Sequence, residues 1–237
     1  VYACQRIVAG EFHDQFVVDM IQGGAGTSTN MNANEVIANV GLEFMGHAKG
    51  EYQYLDPNND VNMAQSTNDA YPTAVRLGLL LGHDSLLQSL RQAICSLKGK
   101  GEEFSHILKM GRTQLQDAVP MTLGQEFCSF ATTLEEDLER FIEWGPELLL
   151  DVNLGGTAIG TGINADPAYQ GIAVPRLAEL SGHPVRAAKD LIEASSDMGD
   201  FVLFSGMLKR TATKLSKICN DLRILSSGPR TGIQEIN

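Results

Sequence analysis

Three stretches of this sequence are dense in neutral hydroxyl and amide side chains: Thr27-Ser28-Thr29-Asn30, Ser66-Thr67-Asn68-Asp69 and Arg112-Thr113-Gln114-Leu115-Gln116-Asp117. Each precedes a long apolar periodicity. Hydroxyls and amides donate directional hydrogen bonds without carrying charge, and a helix N-terminus behind them adds partial positive charge, so such stretches suit a small polyanion. Any single stretch of this kind more often serves as a helix cap or solvated turn. Three of them ahead of three long helices weigh toward a binding site, although composition alone does not decide it.

Other chemistry-bearing residues are dispersed. The histidines at 13, 47, 83, 106 and 183 form no HxxxH pair and no Cys/His cluster of the kind that holds zinc. Asp56, Asn58 and Asp60 offer oxygen ligands for an ion, but a solvated turn is the commoner use of such a run. The cysteines at 4, 95, 128 and 219 form no CxxC pair, and three of them fall inside apolar helical patterns. That usage predicts buried, reduced thiols and a cytoplasmic setting.

The elements that must position the polar stretches are helical. Val36, Ile37, Val40, Phe44 and Met45 recur at helical spacing, with Gly50 as the expected stop. A second helix is expected to open near Pro72 and run through Val75, Leu79, Leu86, Leu90, Ala93, Ile94 and Leu97. Met110 to Met121 is expected as a loop. Thr122 and Gln125 then form a T-x-x-Q capping box ahead of Phe127, Phe130, Leu134, Leu138, Phe141 and Ile142. Gly145-Pro146 should kink that helix. A Gly/Thr loop covers Asn153 to Asn164, and a shorter helix is expected around Val174 to Ser181. The last long helix should start near Ser196 or Asp197 and end at Gly228-Pro229, with Phe204, Met207, Leu208, Leu215, Ile218, Leu222 and Leu225 on one face. Strand signals are weak. The predicted fold is all-α, a long-helix bundle whose apolar faces call for burial against sister subunits.

Bulk properties exclude some partners. The 237 residues carry a formal net charge of −11, so general binding to nucleic acid is not expected. No apolar run approaches the ~20 residues of a membrane span, and no signal peptide is visible.

The blocks GGAGTSTNMNANEVIAN, QSTNDAYPTA, GRTQLQDAVPMTLGQEF, NLGGTAIGTGIN and ICNDLRILSSGPRTGIQEIN resemble, in order and spacing, the central blocks of the aspartase/fumarase family. The resemblance covers nearly the whole chain. It implies a helical bundle in a homotetramer with shared active sites, and anti-elimination from a dicarboxylate. A base removes a proton beside one carboxylate, charge builds on that carboxylate, and preorganised donors stabilise it. By matching position, Thr27, Ser66 and Thr67 would donate to that carboxylate. Asn68, Thr113 and Gln114 would line the leaving group or second carboxylate. The organisation implied is a partial N-terminal region with the first substrate loop over 1–35 and the central bundle over 36–237. No C-terminal domain is expected. The family's GSS-x-MP-x-K-x-N signature, with the serine that acts as base, is expected after Asn237, so no catalytic base is assigned within the chain.

Within the family, Gln114 stands where fumarase-type chains carry His in a GRTH pattern. A neutral amide cannot relay a proton, but it can hydrogen-bond an ammonium group. L-aspartate to fumarate plus ammonia is therefore the expected reaction. Hydration of fumarate to L-malate is the alternative, and an inactive helical assembly module a third. No organic cofactor is implied. Activation by a divalent metal is compatible with the family but has no assigned ligands. Met63 replaces a Lys common in relatives near the Ser66 stretch.

Overall fold

The computed structural model describes residues 1–21 and 23–236; Gln22 and Asn237 lie outside the described residues. The chain divides into two compact units, residues 1–79 with 149–198 and residues 80–148 with 199–237.

In the first unit, α1 (Tyr2–Val8) packs on α2 (Thr27–Phe44) through Ala3, Val36 and Val40, with Ile7, Phe12 and Ile37 around them. A short 3-10 turn, His13–Gln15, lies between the two. Helix α2 begins at Thr27, so the whole of the first polar stretch, Thr27 to Asn30, is helical rather than a loop ahead of the helix. It also stops earlier than Gly50, at Phe44, with Gly46 left-handed just beyond. The Asn/Asp-rich run forms a π-helical turn, Pro57–Val61. Asp56 caps it by accepting from the Asn58 and Asn59 N–H groups at 2.9 and 2.7 Å, and Asp60 accepts from the Asp56 N–H at 2.7 Å. These carboxylates are thus engaged in closing the turn.

Helix α3 (Thr67–Glu103) is 37 residues long, with residues 67–79 in the first unit and 80–103 in the second. It opens five residues before Pro72, not at it, because Ser66 and Asp69 cap it and override the proline signal. The first unit is completed by β3 (Asp151–Val152) paired in parallel with β4 (Arg186–Ala187), by α5 (Tyr169–Ser181) and by α6 (Leu191–Ser196). Asp190 caps α6.

The second unit is a helical bundle. α4 (Leu123–Trp144) and α7 (Gly199–Leu225) pack with α3 around Ile94, Phe130, Ala131, Leu134 and Ile218. Phe141 is 1% exposed and meets Phe204 and His83 edge-on at ring-centroid distances of 6.0 and 6.3 Å. The capping box at Thr122 and Gln125 is formed in both directions. At Gly145 helix α4 ends rather than kinks, and a 3-10 turn, Glu147–Leu149, follows. The region expected as a loop is an antiparallel hairpin of β1 (Leu108–Thr113) and β2 (Gln116–Thr122). Gln114 and Leu115 form its turn, both left-handed at φ 51° and 65°. Paired left-handed residues match the twist of a two-residue hairpin, a solution usually signalled by Asn-Gly and so not legible here. The four cysteines are exposed and unpaired, contrary to the burial expected: Ile94, Phe130 and Ile218 face inward on the helices that carry Cys95, Cys128 and Cys219. Among the described residues no helix is long and apolar enough to cross a membrane.

Candidate functional site

The N-terminus of α3 is tied by a set of side-chain and backbone hydrogen bonds. The Ser66 N–H donates to Asp69 Oδ1 at 2.8 Å, and Ser66 Oγ accepts from the Asn68 N–H at 3.2 Å. Thr67 Oγ1 accepts from Asn30 Nδ2 at 3.1 Å, and the same amide nitrogen reaches Asn62 Oδ1 at 3.2 Å. Asn34 Nδ2 also donates to Asn62 Oδ1, at 3.1 Å. The first and second polar stretches therefore meet where the Asn30 amide donates to the Thr67 hydroxyl, with Asn62 beside them. Gly26 is required at this junction: a Cβ there would lie 2.3 Å from the Tyr71 ring, and its φ is +86°.

Within these bonds Ser66 and Thr67 act as acceptors. Among the described residues neither hydroxyl donates to another protein atom, so both keep a proton to direct at a ligand beside a helix N-terminus. Thr27 differs. It is exposed, and its hydroxyl donates to the Gly24 carbonyl at 2.8 Å. Asn68 spends one amide hydrogen on the Ala158 carbonyl at 2.8 Å. Met63 is 62% exposed near this region of sequence and brings no charge.

Asp69 was not singled out by composition, yet it is 0% exposed. Its Oδ2 accepts from the Gly155 and Thr157 N–H groups at 3.1 and 2.9 Å. Burial raises its carboxyl above the ordinary 3.8, against the opposing pull of the Ser66, Thr157, Gly155 and Ala70 N–H groups. Two local features of the sequence are consistent with a cap at this point, though neither marks the distant partners. Ser66-Thr67-Asn68-Asp69 has S-x-x-D capping spacing. Pro72 also lacks the N–H that would reach the carbonyl four residues back, at Asn68. Asn153 Nδ2 fills that gap, donating to the Asn68 carbonyl at 2.9 Å and also to Ser195 Oγ at 3.1 Å.

Thr113 and Gln114 belong to the second unit, at the tip of the hairpin, and both are exposed. Gln114 borders a cavity of about 340 Å³ together with Lys109, Arg112, Lys217 and Asp221. Lys109, 6% exposed at its side chain, pairs with Glu126 and lies 2.8 Å from Glu235 Oε2. Arg112 reaches Glu235 Oε1 at 2.6 Å. Burial alone would raise the Glu235 carboxyl, but Lys109 and Arg112 outweigh it and hold the carboxyl below its ordinary 4.5. The hairpin strand bearing Thr113 is thereby clamped to the segment that follows α7. Glu235 lies in a block matched by resemblance, but its pairing partners are remote in sequence and could not be read from it.

A family model described as lyase matches residues 1–237. The chain belongs to this lyase family. The lyase chain is 78% identical over 235 residues to an aspartate ammonia-lyase from Pseudomonas canavaninivorans, covering 99% of the chain and 50% of that relative. Its fold matches a solved fumarate lyase:delta crystallin from Brucella melitensis bound to cobalt, with TM-score 0.93 and 59% identity. That match covers 98% of the chain and 50% of the other. A class II fumarase from Schistosoma mansoni matches with TM-score 0.89 at 32% identity, over 98% of the chain and 52% of that fumarase. The chain spans about half the length of the curated relatives it matches. The helical bundle expected from the sequence is thus found, joined by two small two-stranded sheets.

Proposed function

We propose that this chain is the donor-bearing part of an aspartate ammonia-lyase, which eliminates ammonia from L-aspartate to give fumarate. The observation that carries this reading is the 78% identity to an aspartate ammonia-lyase over 99% of the chain, against 32% to a fumarase. The geometry supports it. Ser66 and Thr67 hold hydroxyl protons at the start of α3, ready to meet a carboxylate whose charge grows during proton abstraction. Thr27 joins them by releasing its bond to Gly24, and Asn68 contributes its remaining amide capacity. Gln114 at the hairpin tip offers a neutral amide to an ammonium group, with Thr113 beside it.

The 237 residues contain no GSS-x-MP-x-K-x-N segment. In this reading the base comes from outside them, and Thr113 and Gln114 complete a site in an assembled homotetramer with shared active sites. Apolar side chains left exposed on the bundle helices, including Leu81, Ile142, Val202 and Leu203, support such an assembly. The setting is cytoplasmic in this reading, and no organic cofactor is required; activation by a divalent metal is compatible with it and has no assigned ligands.

The natural protein that carries this sequence tests the reading. Loss of fumarate absorbance that depends on added ammonia is the expected result. Loss without ammonia would make it a hydratase, and no loss under either condition would leave an inactive assembly module. The 237-residue chain alone should turn over aspartate negligibly, and measurable fumarate release from it would contradict the assignment of the base.

A further inference from the structure

We infer that Asp69 and Asn153 are positioning residues, a latch that fixes the Ser66 and Thr67 hydroxyls by tying the start of α3 to the Gly155–Thr157 turn. This rests on the donor roles proposed above for Ser66 and Thr67. Three observations converge on it. Asp69 bridges two backbones: one carboxylate oxygen takes the Ser66 N–H, and the other takes the Gly155 and Thr157 N–H groups. Asn153 takes the Asn68 carbonyl that Pro72 leaves without its helical partner, and Asn68 returns a bond to the Ala158 carbonyl. The turn itself is strained, because Thr157, a β-branched residue, is left-handed at φ 57°. Such a conformation persists only where surrounding contacts impose it. Here its N–H meets the Asp69 carboxylate, and its hydroxyl donates to the Ile163 carbonyl at 3.2 Å.

A capping carboxylate on an ordinary helix faces solvent. This one is wholly buried and joins residues 86 and 88 positions apart, which local helix stability does not require. What the arrangement does fix is the direction in which residues 66 and 67 present their side chains. Donors that stabilise developing charge depend steeply on placement: a displacement of about 1 Å can cost about a hundredfold in rate.

In the natural protein, Asp69→Asn keeps the shape but supplies one acceptor oxygen where two are used. Asn153→Ala removes the donor to Asn68. For each we expect kcat for aspartate to fall about 10- to 100-fold while KM changes less than about threefold, with the chain still folded by circular dichroism although its melting temperature drops. The double variant should lose little beyond the larger single loss, because both act on one element. Amide hydrogen exchange in a peptide covering 153–158 should quicken about tenfold or more in Asp69→Asn. Unchanged exchange would show that there is no latch. Quickened exchange with kcat within about twofold of wild type would show a latch that does not position the donors. Should the wild type leave aspartate and fumarate untouched, the functional reading fails by itself, and the exchange rates still judge the latch.

Discussion

Two carboxylates in this chain, Asp69 wholly buried and Glu235 partly so, respond to their surroundings in opposite senses. Asp69 is raised by burial that its backbone donors do not offset, whereas Glu235 is depressed because Lys109 and Arg112 outweigh its burial. For Glu235 the folded value lies below the ordinary 4.5, so its clamp contributes stability above that pH and loses it as pH falls through the folded value. For Asp69 the folded chain holds the proton more readily than the unfolded chain, so stability declines as pH rises from 3.8 through the folded value. Urea midpoints measured on the acid side should therefore separate the two. Glu235→Gln should flatten the loss of stability on acidification, and Asp69→Asn should steepen the net loss by removing an opposing contribution. Neither residue stood out by composition. A lone Asp in an Asn/Thr-rich run and a lone Glu beside isoleucines gain their roles only when distant backbone and cations fold onto them.

At the scale of elements, legibility tracked how local the deciding interaction is. The Thr122/Gln125 box is wholly local, and it was readable and is formed. Thr122→Ala should destabilise the chain by about 1 kcal/mol, read as a shift in denaturation midpoint with unchanged slope. An unchanged midpoint would mean that packing of α4 alone sets its start. The stripe on α3 was harder to read. Its inward positions are Thr73, Arg76, Leu80, His83, Leu87, Leu90 and Ile94, so polar residues interrupt the apolar signal and Leu79 and Leu86 fall to one side. His83 is accommodated there because its Nε2 lies 3.0 Å from the Phe141 carbonyl. The hairpin was missed for a related reason. Its strands are mostly exposed, and their sequence lacks the alternation that betrays a half-buried strand.

At the scale of the whole molecule, the residues proposed to bind substrate fall in both units. The first holds Thr27 and Ser66 to Asn68, and the second holds the hairpin tip with Thr113 and Gln114 beside the packed α3, α4 and α7 helices. The family was legible because five long blocks stand in order. The positions of their side chains were not, since each block meets partners far away in sequence. The measurement that bears most directly on the account is the effect of Thr67→Ala on kcat/KM for aspartate in the natural protein. If Thr67 directs its proton at the carboxylate that gathers charge, the loss should be about a hundredfold or more, with folding intact by circular dichroism. A kcat/KM within about twofold of wild type would contradict the central claim that the start of α3 carries the donors.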